Sequence, residues 1–354
     1  MRRACRTITL VGLALGAACS AASSADDSTL PRDQPGLTLE AAGATFPYPV
    51  YTRWFSSYAA QGGARINYRS IGSGAGIRAL IDGTADFAAT DVPLDDADRA
   101  QLASRGIRQV PLVVGGVAVT YNLPGVARQL RLDGATLGDI YLGRITRWND
   151  PILVALNPDI LLPDAPLHVI TRADTSGTSW ILTEYLSHLS PGWARGPGRS
   201  RFPAWPVGAR VRGNEGVAAE IKATEFAVGA VEAVYAMQNR LQVARIRNHA
   251  GAWVTPQTGG LRAAASAMLA SIDDTLEFAT SISDAPGEAS YPIAALSWLL
   301  VPSRGRDTMQ VRAMGGFVRW ALSHGQDDAL TLGYAPLPDA MRQTLLRTWS
   351  APRP

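Results

Sequence analysis

Apolar positions along the chain alternate between two spacings, and the alternation predicts a fold class. Val50, Trp54 and Tyr58, joined by Tyr51 and Phe55, recur every three to four residues, which marks one face of a helix. Ile66 to Ile71 then reads as a strand. It is followed by glycines and by a second helical face of Ile77, Leu80 and Ile81. Asp86 to Thr90 predicts a short strand. Leu112 to Val114 and Val117 to Val119 predict a long apolar strand that Gly115 and Gly116 interrupt. Leu167, Val169 and Thr171 alternate as a strand, and Ile181, Leu182, Tyr185, Leu186 and Leu189 are spaced as a helix. Strands that alternate with helices predict an α/β protein with mostly parallel sheets.

The first 25 residues follow a different rule. Arg2, Arg3 and Arg6 precede an apolar run from Ile8 to Leu15, and small residues follow from Gly16 to Ala25. A basic start, a short apolar core and a small-residue cleavage zone describe a secretory signal. The apolar run falls short of the roughly 20 residues a bilayer span needs. Residues 26–37 are polar, contain Pro31 and Pro35, and read as a flexible leader. The remainder exceeds the usual size of one domain, so two are expected.

Charge excludes one class of partner. The chain carries 33 basic and 30 acidic residues, and removing the three signal arginines leaves 30 of each. No Lys/Arg run builds the concentrated basic face of a nucleic-acid binder. Cys5 and Cys19 both lie in the signal region, so the mature chain uses no disulfide. Gly16-Ala17-Ala18-Cys19 partly matches a lipidation motif, with Gly16 where an aliphatic residue is preferred. Cleavage near Ala25 or lipidation at Cys19 both remain open at this level.

Three loops carry candidate chemistry. They are Gly43 to Pro47, Ile71 to Gly76 and Arg172 to Thr178. Each places small or hydroxyl residues before a predicted helix. There the first backbone N–H groups have no intrahelical partner and the helix dipole is positive, which suits an anion. A single loop of this kind is an ordinary cap; three of them suggest helix ends that converge. Gly72-Ser73-Gly74-Ala75-Gly76 misses the dinucleotide fingerprint by one residue, and no glycine-rich loop carries the lysine of a phosphate-binding P-loop. His168, His188, His249 and His324 are scattered without metal-ligand spacing. No nucleophile elbow is present. No cofactor, metal site or catalytic residue is expected.

Several segments together resemble a known family, the periplasmic phosphate-binding proteins of bacterial ABC transporters (the PstS family). They are Ala42 to Pro47, Ile71 to Ser73, Asp86 to Asp91, Gly115 to Val117, Leu137 to Gly143, Arg172 to Ser179, Gly213 to Gly216 and Leu337 to Asp339. The resemblance spans nearly the whole mature chain. It implies a two-lobed periplasmic binding protein fold, with hinge strands and a central ligand cleft. Residues 38–114 and 292–354 would form the first lobe and 115–291 the second, with crossings near Val113-Val114-Gly115 and Tyr291-Pro292-Ile293.

The resemblance also implies a site for inorganic phosphate. Thr45 and Phe46 would give backbone N–H groups, and Thr45 its hydroxyl as well. Ser73 would give N–H and hydroxyl. Asp91 would accept a proton from the ligand, and Arg172 would supply the positive charge. Ser176, Gly177 and Thr178 would complete the shell, while Asp174 would brace Arg172. Thr175 departs from a glycine found in some relatives. A carboxylate beside an anion repels it unless a proton lies between them. Phosphate keeps a proton near neutral pH and sulfate does not, so Asp91 reads as a filter against sulfate. The implied protein is a periplasmic monomer that delivers phosphate to a membrane permease and is not an enzyme. The alternatives are a phosphate-binding signalling protein and a phosphatase-like enzyme on the same fold.

Overall fold

The computed structural model describes residues 36–269, 280–304 and 307–350. The expected signal segment 1–25, Cys19 and most of the leader lie outside the described residues. The order begins β1 (Thr38–Gly43), α1 (Tyr48–Ala60), β2 (Arg65–Ser70), α2 (Ser73–Ile81), β3 (Phe87–Thr90), α3 (Asp96–Leu102) and β4 (Ile107–Tyr121). The middle holds β5 (Arg131–Leu132), α4 (Gly134–Tyr141), α5 (Pro151–Leu156), β6 (His168–Arg172), α6 (Gly177–Leu189), α7 (Pro191–Arg195), β7 (Ala209–Val211), α8 (Gly213–Ala223), β8 (Ala227–Glu232) and α9 (Ala233–Gln238). Then come β9 (Gln242–Val243), β10 (Arg245–Arg247), β11 (Trp253–Val254), α10 (Thr258–Leu269), β12 (Ala294–Pro302), α11 (Thr308–Ser323), α12 (Gln326–Leu332) and α13 (Asp339–Ser350).

The helical face expected from Val50 to Tyr58 is the buried face of α1. It packs on an element far away in sequence. Phe55 and Tyr58 meet Phe317 of α11 with ring centroids 5.1 and 5.5 Å apart, and Tyr58 also meets Trp320. Aromatic pairs at such spacings add to the burial of their area. The end of the chain therefore shares a core with its beginning. A separate core forms around Ile170, Val217, Ile221, Val231 and Tyr235.

The main sheet runs β2-β1-β3-β12-β4-β8-β6-β7, with β9 also paired to β4. The expectation of mostly parallel pairing holds only towards the two ends of this order. β1 pairs in parallel with β2 and β3, and β6 with β7 and β8. At the centre β12 is antiparallel to β3 and β4, and β4 is antiparallel to β8. The reason is topological: β12 comes from the C-terminal part of the chain and lies between β3 and β4.

The glycine interruption of the central strand is also corrected, because β4 is continuous through Gly115 and Gly116. These residues leave room instead of breaking the strand. A Cβ on Gly115 would fall 2.3 Å from the Phe46 ring, and one on Gly116 would fall 2.6 Å from Leu261. β4 changes partner at this point. Ile107 to Gly116 pair with β12, whereas Val117 to Tyr121 pair with β8. Val117 N–H bonds the Ile293 carbonyl at 2.8 Å, so β4 is still held beside the residue that precedes β12 where the partner changes.

A register irregularity in the β4–β12 pair falls at Ser297/Trp298. Ser297 faces Val113 and Trp298 faces Pro111, so Leu112 is the extra residue. Pro111 has no N–H for the ladder, and a bulge is where a sheet tolerates proline. No helix among the described residues is long and apolar enough to cross a membrane.

Candidate anion-binding site

The three loops converge. Each sits at the C-terminal end of a parallel strand and opens a helix: β1 into α1, β2 into α2, and β6 into α6. Gly72, with φ +95°, caps α2 in a conformation that favours glycine, and a Cβ there would lie 2.7 Å from Asp174 Oδ2. Gly74 N–H donates to the Thr175 carbonyl at 3.2 Å, so the second and third loops touch through their backbones. A Cβ on Gly177 would lie 2.5 Å from Asp91 Oδ2 and 2.7 Å from Ser73 Oγ. Only glycine lets the first turn of α6 come this close.

Thr45, Phe46, Ser73, Asp91, Arg172, Ser176, Gly177 and Thr178 are all buried. Asp91 lies at the end of β3 and is 1% exposed. Ser297 Oγ donates to Asp91 Oδ1 at 2.7 Å, and Ser73 Oγ to Asp91 Oδ2 at 3.3 Å. Burial pushes the Asp91 carboxyl up to about 7, against the opposing pull of the Ser297 and Ser73 hydroxyls and the charge of Arg172.

Arg172 ends β6 with its side chain 4% exposed. Nε donates to Asp174 Oδ1 at 2.8 Å, and Nη2 donates to Asp174 Oδ2 in a short contact. Gly213 N–H adds a bond to Asp174 Oδ1 at 3.2 Å. Burial raises the Asp174 carboxyl, but the Arg172 guanidinium and the Gly213 N–H outweigh it and hold the group below the usual carboxylate value. The fork therefore fixes the guanidinium plane. Nη1 is buried without a hydrogen-bond partner among the described residues, and a buried, unmatched cationic donor is costly unless a ligand accepts from it.

Among the described residues the Thr45 and Ser176 hydroxyls only accept, whereas those of Ser73 and Thr178 donate to Asp91 Oδ2 and Asn214 Oδ1. Ser176 caps α6, its Oγ accepting the Ser179 N–H at 3.1 Å. Its own N–H goes to the Arg201 carbonyl at 2.8 Å, so Ser176 offers a ligand its O–H and not its backbone. Thr45 Oγ1 accepts from Asn214 Nδ2 at 2.9 Å, and Thr178 Oγ1 lies 3.2 Å from the same nitrogen. Asn214 Oδ1 in turn accepts the Glu232 N–H at 2.9 Å. Asn214 thus ties the first and third loops together.

Four of the supports have no role in a residue-by-residue reading of the sequence. Tyr235 Oη donates to the Thr45 carbonyl and Tyr334 Oη to the Phe46 carbonyl, both at 2.7 Å. They hold the peptide units of the first loop from two other parts of the chain. Asn214 stands in a segment that carried the family resemblance. Ser297 had one local signal, being the lone hydroxyl in the apolar run Ala294 to Pro302. Among the described residues no cluster of His, Cys, Asp and Glu could hold a metal ion. The arrangement is a desolvated cradle that brings the Arg172 guanidinium and several neutral donors together with the Asp91 carboxyl, whose proton affinity is raised.

Comparison with known proteins gives a consistent answer. Residues 21–324 match the family model of a PBP superfamily domain. A phosphate-binding protein PstS of Haemophilus influenzae is 38% identical over 322 residues, covering 91% of this chain and 95% of its own. The phosphate-binding protein PstS of Xylella fastidiosa strain Temecula1 is 37% identical over 316 residues, covering 89% and 85%. Among solved structures, a human phosphate binding apolipoprotein aligns with a TM-score of 0.71 at 18% identity, covering 87% of this chain and 93% of its own. The periplasmic phosphate-binding protein PfluDING, bound with phosphate, gives 0.68 at 20% identity, with 87% and 93% covered. At such low identity the structural likeness speaks to the fold, and the sequence relatives speak to the family. With its three converging loops on a two-lobed periplasmic binding protein fold, the chain belongs to the PstS family of phosphate-binding proteins.

Proposed function

We propose that this chain is an extracytoplasmic receptor that binds inorganic phosphate and hands it to the membrane permease of an ABC-type importer. One observation carries the reading: the unmatched Nη1 of Arg172 is buried where three loops meet beside Asp91. A tetrahedral oxyanion would satisfy that donor, the O–H groups of Thr45 and Ser176 and the N–H groups of Phe46, Ser73 and Gly177, and it would draw the O–H groups of Ser73 and Thr178 away from Asp91 Oδ2 and Asn214 Oδ1. The relatives are named as phosphate-binding proteins, which supports a receptor and not an enzyme.

Asp91 would be the filter. In its ionised form it accepts the proton that phosphate retains and meets a sulfate oxygen with bare repulsion, in a site where neither charge is hydrated. Asp174 would keep Arg172 aimed. Residues 38–114 and 292–354 would form one lobe and 115–291 the other, hinged where β4 changes partner and beside Tyr291 to Ile293. Ligand contacts from both lobes would favour the closed form, since a ligand shifts an equilibrium only by its differential affinity for the two states. The receptor would work as a monomer without nucleic acid, exported by the signal at 1–25 and either cleaved near Ala25 or lipidated at Cys19. Native protein should begin beyond Gly16, and an intact mass separates cleavage near Ala25 from lipidation at Cys19. Calorimetry of the mature protein should show phosphate and arsenate binding and no comparable heat with sulfate. Equal binding of sulfate would end the filter, and no binding of phosphate would end the reading.

A further inference from the structure

Arg201 stands outside the anion shell, yet its carbonyl accepts the N–H of Ser176, the cap of α6. We propose that Arg201 is a positioning residue: clasped by Asp95 and Asp98 across the mouth of the cleft, it holds the start of α6 over the ligand and sets the rate at which phosphate leaves. The inference rests on the phosphate-receptor reading and deepens it.

The clasp joins two walls. Arg201 Nη1 donates to Asp98 Oδ2 and Nη2 to Asp95 Oδ2, both at 2.7 Å. The Arg201 side chain is 23% exposed and that of Asp98 11%. Exposed pairs such as Arg53–Asp328 or Arg147–Asp164 are screened and contribute little; the Arg201–Asp98 contact is more sheltered and has a second acid beside it. Asp95 has a further task. Its Oδ1 accepts the Asp98 N–H at 2.8 Å and caps α3, so Asp95 is committed twice.

Each end of the clasp leads to the site. On one side Asp95 follows Asp91 by four residues, and Gln109 pins the segment between them. Its side chain accepts the Leu94 N–H at 3.2 Å and donates to the Val92 carbonyl at 3.1 Å. On the other side the segment holding Arg201 is fastened along α6. Ser200 N–H bonds Thr183 Oγ1 at 3.0 Å, Arg199 Nη1 bonds Glu184 Oε1 at 3.1 Å, and the Arg199 guanidinium lies over the Trp180 ring. Between the walls lies a cavity of about 900 Å³, bordered by Gly74, Asp174, Thr175 and Arg201. Phosphate leaving by this route would pass the clasp, and α6 could not withdraw from Asp91 without stretching it.

Stopped-flow release of phosphate, or a chase of radiolabelled phosphate, tests the assignment in the mature protein. Arg201→Ala should raise the dissociation rate about tenfold, the loss expected of a charge-assisted, partly buried contact, with association changed by no more than about twofold. Asp95→Asn/Asp98→Asn keeps the helix cap and should raise the rate as much. Combining it with Arg201→Ala should add nothing further. Arg201→Lys should restore part of the effect, and added salt should speed release from the wild type but not from Arg201→Ala. Arg78→Ala removes an exposed arginine on the same cavity and should leave the rate unchanged. An unaltered rate in the clasp variants, additive effects, or an equal rise in Arg78→Ala overturns the inference while the receptor reading stands. A wild type that binds no phosphate overturns both.

Discussion

Two aspartates flank the candidate site and meet opposite fates. Asp174 faces the bidentate fork of Arg172 and takes an N–H from Gly213, and its carboxyl is held below the usual value although burial works against it. Asp91 is buried among hydroxyls from Ser73 and Ser297, with Arg172 acting on it only through space, and its carboxyl rises to about 7. The same side chain is a fixed anion in one place and a proton-sensitive group in the other. A guanidinium within hydrogen-bonding range compensates the loss of water, whereas two neutral hydroxyls do so only in part. On the proposed reading the site would separate its two tasks: Asp174 would orient charge, and Asp91 would read protonation.

The strongest way to break this division is to remove the cation that makes the two sides differ. Arg172→Ala leaves Asp174 buried without its fork and the anion with neutral donors alone. A charge-assisted contact of about 1.5–3 kcal/mol corresponds to an affinity loss of about ten- to a hundredfold. Calorimetry on protein shown by circular dichroism to be folded would measure it; affinity equal to wild type would remove Arg172 from the site.

Asp91→Asn sharpens the other side. The amide keeps the shape, loses the charge and can turn a donor to the ligand. The preference for phosphate over sulfate should shrink by at least about tenfold, or about 1.4 kcal/mol. The wild type should imitate the variant in acid. As pH falls through about 7, Asp91 gains a proton, can donate, and should admit more sulfate. Titrating both anions at one ionic strength, at pH 8 and pH 6, checks both statements. An unchanged ratio would leave discrimination to donor geometry.

A smaller effect concerns stability in phosphate-free buffer. A carboxyl whose folded value is raised penalises the fold above that value, and the penalty vanishes below the unfolded value of 3.8. Asp91→Asn should therefore be more stable than wild type at pH 8. The gain should be about 1–4 kcal/mol, since each tenfold difference in proton affinity between folded and unfolded chain is worth about 1.4 kcal/mol. The advantage should fade as pH drops from 7 towards 4. Urea midpoints across that range would show it, and a pH-independent difference would mean that burial does not hold the proton on Asp91.

Local pattern carried a good part of the fold. The spacing of Val50, Trp54 and Tyr58 became the buried face of α1, because a 3.6-residue repeat has one geometric solution. The loop residues Ser73, Arg172 and Thr178 could be read as helix starts, because capping chemistry is local. Pairing direction was not legible. β4 and β12 are each apolar enough for either orientation, and only the insertion of β12 beside β3 makes the centre antiparallel. Gly115 and Gly116 looked like a break because a glycine has no side chain to name its neighbour. Phe46 and Leu261, both distant in sequence, are what they accommodate.

For the site the division is the same. By itself the sequence determined which donors exist, since residue type and helix position decide what an N–H or O–H can offer. Asp174, two residues from Arg172, could be read as its brace at short range. Tertiary structure alone decided that Gly177 abuts Asp91, that Ser297 from β12 reaches the same carboxyl, and that Tyr235 and Tyr334 secure the first loop. Proton affinity belongs with those decisions. Desolvation is a property of everything packed around a group, and no residue adjacent to Asp91 in the sequence specifies it.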